Sequence, residues 1–314
     1  MNQKLKQIES RFAKFRQLNP WRSSFEILYS YFFIAVTIAA VLQISWRLYP
    51  LAIIIIGNRI HALALLGHEA THGTLYSNTK LNTWVGRYLC HFPATISHHR
   101  YKVQHLLHHR FLGSIEDPDI EFYRPYPNSK IATLRELFVT FLTGRMTLDF
   151  WEYYNGFRLP WWKGRNYHVV GKSDQPKLLG YWLVLSLIAV FSNNIIYLLL
   201  FWFVPLFCWL PWLQFKVAIE HAPIAIDSSG PIGKTRTILT HPILEKLLFP
   251  FHINYHSEHH LFPWVPHYNL PQLSFELTQL EKQPDFAFLK LRQMKLSQGT
   301  RELWINADSA TKCK

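Results

Sequence analysis

Charge is scarce in this chain of 314 residues. Charged side chains make up 17% of it, against about 25% in an ordinary soluble domain. Acidic residues are the scarcer kind, with 20 Asp and Glu against 33 Lys and Arg. An excess of 13 positive charges suits either a nucleic acid or an anionic membrane surface. Here the basic residues flank long apolar runs, which favours the membrane and speaks against a nucleic-acid partner. Cysteine is nearly missing: Cys90, Cys208 and Cys313 have no paired spacing. That excludes a disulfide framework and a cysteine zinc knuckle, and it puts the polar part on a reducing side. No small-residue cleavage site follows the first apolar run, so no cleavable signal peptide is expected. No haem-binding, flavin or nicotinamide motif occurs, so any electrons the protein uses come from a separate carrier.

Apolar and aromatic residues fill the space that charge leaves, at 49% and 16% of the chain. Residues 1–23 are polar and basic, and their spacing suits a helix at the membrane interface with Ile8, Phe12, Phe15 and Leu18 on one side. Residues 24–67 hold two apolar runs around the turn Arg47-Leu48-Tyr49-Pro50, the first broken early by Glu26. A span needs about 20 residues, so this segment predicts a transmembrane hairpin. Residues 68–176 are polar, with a semi-apolar piece from Trp84 to Ser97 and an amphipathic one from Ile131 to Phe150. Both belong at the interface or in a cap, with Pro118, Pro125, Pro127, Pro160 and Pro176 marking loops. Residues 178–213 form a second hairpin divided at Ser192-Asn193-Asn194, and residues 214–314 a second cap with a helix near Pro271–Lys282 and a basic tail. Basic residues lie outside the hairpins, which places their ends, both termini and the caps in the cytoplasm. The expected fold is a single all-α membrane domain of about four transmembrane helices, in two hairpins, with a cytoplasmic helical cap.

Three histidine clusters stand out. His68 and His72 are four residues apart, on one helix face about 6 Å apart. His105-Leu106-Leu107-His108-His109 and His256-Ser257-Glu258-His259-His260 share an H-x-x-H-H spacing, whose three imidazoles are expected to converge on one side of a helix. The hairpins bring all three clusters out on one membrane face. Eight imidazoles exceed the needs of one tetrahedral ion and suit two five- or six-coordinate ions. His221, just beyond the last span, offers a ninth. Glu69, Asp117, Asp119, Glu220 and Glu258 are candidate acceptors for imidazole N–H groups. Among the other histidines, His61 is expected between spans. His98 and His99 are expected in solvent or at the interface, and His252 has the spacing to join His256. His91, His168, His241 and His267 stand alone as structural residues.

The three boxes, with the words Gly67-His68-Glu69-Ala70-Thr71-His72-Gly73, Asp117-Pro118-Asp119 and Asn254-Tyr255-His256 through Leu261-Phe262-Pro263, resemble the integral-membrane fatty acid desaturase superfamily. The likeness covers roughly residues 50–275. It implies two non-haem irons held by His68, His72, His105, His108, His109, His256, His259 and His260, with His221 as the extra ligand. It also implies oxygen as co-substrate, a hydrophobic lipid substrate, and an external donor of ferredoxin or cytochrome b5 type. The expected reaction is desaturation of a fatty acyl chain. Hydroxylation or ketolation of a carotenoid or other lipid, and alkene-forming decarboxylation, belong to the same superfamily. Some members place an asparagine four residues before the extra histidine, to hold a metal-bound water; here that position is Val217. A rival from another class is an intramembrane zinc protease using His68-Glu69-x-x-His72, which leaves both H-x-x-H-H boxes without a role. A metal carrier would want its ligands inside the spans rather than at their ends.

Overall fold

A computed structural model describes residues 8–123, 129–156, 173–222, 233–289 and 291–304. His168, Cys313, Pro125, Pro127, Pro160 and the tail beyond Trp304 lie outside them. The described residues are mostly helical, and their one sheet is two short parallel strands.

Helix α1 (Pro20–Gln43) starts where Asn19 caps the Arg22 N–H and Pro20 takes the first helical position. A 3-10 turn at Trp46–Leu48 reverses the chain into α2 (Tyr49–His72), which ends on Gly73 at a φ of 76°. This left-handed stop suits glycine and sets His72 at the helix end. After a helical turn at Gly86–His91 come α3 (His98–Phe111), α4 (Lys130–Leu142), α5 (Arg145–Asn155), α6 (Gln175–Phe191) and α7 (Val204–His221). The C-terminal part holds β1 (Thr237–Leu239), α8 (His256–Leu261), α9 (Leu270–Leu280) and β2 (Gln293–Lys295). Strand β1 pairs with β2 in register Thr237 to Gln293.

Among the described residues, three helical stretches are long and apolar enough to cross a membrane: Pro20–Gln43, Trp46–His72 and Ile195–His221. The expectation was four. The other arm, Gln175–Phe191, has 17 residues and falls short of that length. Outward-facing apolar side chains run along these helices: Phe25, Leu28 and Phe32 on α1, Leu183, Ile188 and Phe191 on α6. On α4, Ile131, Phe138 and Leu142 are exposed as well. Faces of this size in water would be an aggregation hazard, so lipid is their natural solvent.

Helix α2 is the central one, packed against α1, α7 and the turn at Gly86–His91. Its tightest approach is at Gly67. A Cβ there would lie 2.0 Å from Cδ2 of the buried His91 ring. Gly67→Ala therefore forces α2 away from that turn one residue before His68. The expected result is a loss of about 3 kcal/mol from overpacking, seen as a lower thermal unfolding midpoint.

Glu26, which interrupts the first apolar run, pairs with two partners. Its carboxylate lies 3.0 Å from Arg22 Nε and 2.9 Å from His267 Nε2. The His267 backbone N–H donates to Glu69 at 3.0 Å. Thus His267 ties the C-terminal cap to both arms of the first hairpin. The N-terminal leader differs from its expected place. Ile8, Phe12 and Phe15 are buried in one cluster with Phe262, Leu273 and Leu277, and Lys14 pairs with Glu276 at 2.7 Å. The apolar face that suited lipid is covered by α9 instead.

Candidate metal centre

Each histidine box sits at the end of an element that aims it inward. His68 and His72 close α2. Ser97 caps α3, which carries His105, His108 and His109. His221 ends α7, and α8 carries the last box. These nine imidazoles fall into two groups. His68, His72, His105, His109 and His259 form the first; His108, His221, His256 and His260 form the second. Within each group the ligand atoms lie within 4.8 Å of one another.

The two H-x-x-H-H boxes do not converge as single triplets. In each, the first and third imidazoles serve one group and the middle one crosses to the other. Helix geometry makes this natural. Residues four apart differ by about 40° around the axis, while the middle histidine is about 60° from the first and about 100° from the third. His105 and His109 thus share the first group with His259, while His256 and His260 share the second with His108. The rings of His109 and His260 stack at 4.2 Å between centroids, so the groups are neighbours.

The spacing of nitrogens fits a metal. In the first group the Nε2–Nε2 separations are 3.0 Å (His68 to His259), 2.9 Å (His72 to His105), 3.0 Å (His105 to His109) and 3.1 Å (His109 to His259). In the second they are 2.9 Å (His221 to His256) and 3.1 Å (His256 to His260). Nitrogens about 2.1 Å from an ion and at right angles around it stand about 3.0 Å apart. Hydrogen bonding alone does not satisfy this arrangement, because each neutral ring has one N–H and its Nε2 meets up to two others.

Electrostatics keeps most of these rings in the ligating form. Burial, then the neighbouring imidazoles, holds His105, His109, His259 and His260 well below the usual histidine range. Burial and His221 do the same for His256. His108 differs. Burial works against its charge, but Asp117 and then Asp119 outweigh it and raise it to about 9. Its Nδ1 lies 2.8 Å from Asp117 Oδ1, which fixes the N–H on that side and leaves Nε2 for a metal.

The other carboxylates divide. Asp119 lies 3.7 Å from His108 Nδ1 and accepts from the Tyr153 hydroxyl. Glu69 Oε1 is 3.5 Å from His68 Nδ1, while its Oε2 accepts from Thr74 and the His267 N–H. Glu69 thus stands on the far side of His68 from Nε2, where a protease base would be of no use. Glu220 pairs with Lys216 at 2.7 Å and lies 3.9 Å from His256 Nε2. Among the described residues Glu258 touches no imidazole N–H; it accepts from Thr237 and Ser274 and anchors the last box to β1 and α9.

Several histidines differ from expectation. His98 is buried, not solvated, with its Nδ1 3.0 Å from Nδ1 of His91, which therefore does not stand alone. His252 bonds Glu245 at 3.0 Å and joins neither group. His241 caps the helix that begins at Pro242. His61, by contrast, sits between two membrane-length helices as expected, against Trp209 of α7 with ring centroids 6.2 Å apart. Lys216 and Tyr123, whose hydroxyl donates to Asp117, were not singled out from the sequence. Lys216 had a signal: a basic residue four before Glu220 at the inner end of a span.

Beneath the groups lies a cavity of about 150 Å³ between α2, α5 and α7. Tyr101, stacked on His105 at 5.5 Å, and Asp119 line it together with Leu65, Phe122 and Val217.

A mostly helical chain with membrane-length helices and two imidazole clusters at their ends, each of which could hold a metal ion, has the makeup of a membrane protein with a histidine-rich site. Residues 44–287 match the model of the family described as fatty acid desaturase, and the chain belongs to that family. It is 29% identical to the dihydrorhizobitoxine desaturase of Bradyrhizobium elkanii over 75% of this chain and 69% of that one. It is 27% identical to the temperature-sensitive sn-2 acyl-lipid omega-3 desaturase (ferredoxin), chloroplastic, of Arabidopsis thaliana, over 80% and 62%. An endoplasmic reticulum omega-3 fatty acid desaturase of Nicotiana tabacum is 25% identical over 80% and 71%. The chain thus spans 62% of the length of its Arabidopsis relative.

Proposed function

We propose that this protein is an oxygen-dependent lipid desaturase whose nine imidazoles hold two irons. The observation that carries this is the division of His68, His72, His105, His109 and His259 from His108, His221, His256 and His260. Imidazole suits iron, and unactivated C–H bonds need oxygen chemistry that side chains lack. The irons, when bound, would supply that chemistry. The overall change takes one oxygen molecule, two electrons and two protons for each –CH2–CH2– unit that becomes –CH=CH–, and releases two waters.

The residues of the chain have three tasks. Asp117 holds His108 in the tautomer that presents Nε2. Leu65, Phe122 and Val217 give the substrate chain an apolar wall that excludes water. Tyr101 and Asp119 form the part of that wall nearest the imidazoles, where the reacting carbons belong. The electrons come from an external carrier, of ferredoxin type as the Arabidopsis name suggests, with cytochrome b5 type as the other choice. Helix α6 would be the fourth span: its 17 residues reach about 25 Å, close to the bilayer's apolar thickness. Both hairpins then open to the cytoplasm, with the termini and the metals on that side.

The test is expression in a host of known lipid composition, with fatty-acid and pigment profiles and a His259→Ala control. New acyl double bonds that need air and are missing in the control are expected. An unchanged fatty-acid profile with altered carotenoids would transfer the protein to the hydroxylase and ketolase branch. One zinc per chain, with activity kept under anoxia, would end the oxygenase assignment.

A further inference from the structure

The two imidazole groups differ in charge as well as in number. Among the described residues, three carboxylates stand against rings of the second group. Asp117 Oδ1 lies 2.8 Å from His108 Nδ1, Asp119 lies 3.7 Å from that nitrogen, and Glu220 Oε2 lies 3.9 Å from His256 Nε2. The first group meets one such carboxylate, Glu69, 3.5 Å from His68 Nδ1. Asp117 and Glu220 are buried, so salt and water do little to screen them. Two cations act on the second group at His221, Lys216 and Arg236. Each is already answered: Lys216 pairs with Glu220 at 2.7 Å, and Arg236 with Glu302. Among the described residues no lysine or arginine pairs with Asp117 or Asp119. The hydroxyls that donate to them, from Tyr123 and Tyr153, carry no charge.

A negative charge favours the more highly charged state of a nearby ion. At an effective dielectric constant of about 20, one carboxylate about 10 Å away biases such an equilibrium roughly tenfold. We propose that Asp117, Asp119 and Glu220 make the second group the seat of the more oxidised iron, so that the first electron to arrive rests in the first group. One electron leaves the external carrier and one ferric ion becomes ferrous; no bond forms or breaks. The half-reduced protein is then one species, with its electron among His68, His72, His105, His109 and His259. Asp119 is a positioning residue in this scheme, because it acts on the ion through His108. The inference rests on the two-iron desaturase function proposed above, and it says which half of that site the donor reduces first.

The test is a potentiometric titration of the iron-loaded full chain in phosphatidylcholine nanodiscs, read by the paramagnetic resonance of its ferric ions. Two one-electron steps are expected, with the lower one belonging to the second group. Asp119→Asn removes one carboxylate charge and keeps an oxygen for the Tyr153 hydroxyl. It should favour reduction in the lower step about tenfold, a rise of about 59 mV, and leave the higher step in place. Glu69→Gln should do the opposite: raise the higher step, leave the lower one, and so widen the gap. Both variants are expected to keep the wild-type iron content, so a change confined to folding would move neither step. A rise of the higher step in Asp119→Asn, a rise of the lower step in Glu69→Gln, or an equal shift of both steps in either variant overturns the inference. No turnover is needed for this measurement. A wild-type chain that takes up no iron would sink the desaturase function instead.

Discussion

Alanine at His256 is expected to lower bound iron from two atoms per chain to one and to bring desaturation down to background. The second group has only four imidazoles, and His256 Nε2 lies beside both His221 and His260, at 2.9 and 3.1 Å. Its loss leaves three rings, and His108 among them also answers to Asp117. The first group loses nothing, because none of its five members comes from that position. Metal analysis of the purified protein reads this directly, with an unfolding curve to show that α8 is still in place. Two irons retained in an inactive His256→Ala protein would show that the two groups do not act as separate sites.

Asp117→Asn should have the next largest effect. Asp117 is fully buried, and its two oxygens accept four donors. Oδ1 meets His108 Nδ1 at 2.8 Å and the Asp119 N–H at 2.9 Å. Oδ2 meets the Gly113 N–H at 3.0 Å and the Tyr123 hydroxyl. Asparagine turns one of those faces into a donor, and the Gly113 or Asp119 N–H then points at an N–H. Leaving such a group unmet costs about 1–3 kcal/mol. His108 also loses the anion that sets its tautomer, so iron affinity of the second group should fall about 10- to 100-fold. Iron titration of the variant checks this. An equal loss from both groups would mean that Asp117 acts on the whole cap rather than through His108.

Much of this was open to reading in the chain itself. The turn at Arg47–Pro50 and the hairpin on either side follow from run length and hydropathy, because a span's apolar surface has to match the bilayer. The boxes announced their own helices, since imidazoles three and four apart have a common use only on a helix. Other features depended on partners far away in sequence. Ile8, Phe12 and Phe15 make the same amphipathic pattern whether lipid or α9 covers them. Glu26 reads as a flaw in a span until His267, 241 residues later, lies against it. His98 reads as a surface residue because the burial beside His91 comes from tertiary packing. Glu258 has the position of an imidazole's acceptor, yet Thr237 and Ser274 reach it first.

The number and kind of the side chains that gather into the two imidazole groups were determined by the sequence alone, because softness, charge and helical spacing are local properties. The split of each H-x-x-H-H box was not among these, because its three imidazoles lie within about 100° of one helix face and their spacing suits convergence; the tertiary structure sends the middle one to the other group. Which imidazoles fall into one group was decided by the tertiary structure. The orientation of α3 against α8 sends His108 to His256 and His260, and His259 to His105 and His109. The packing of α2 against α7 likewise places Leu65 and Val217 on one cavity. Such pairings depend on how helices far apart in the chain cross, and side-chain periodicity carries no information about that.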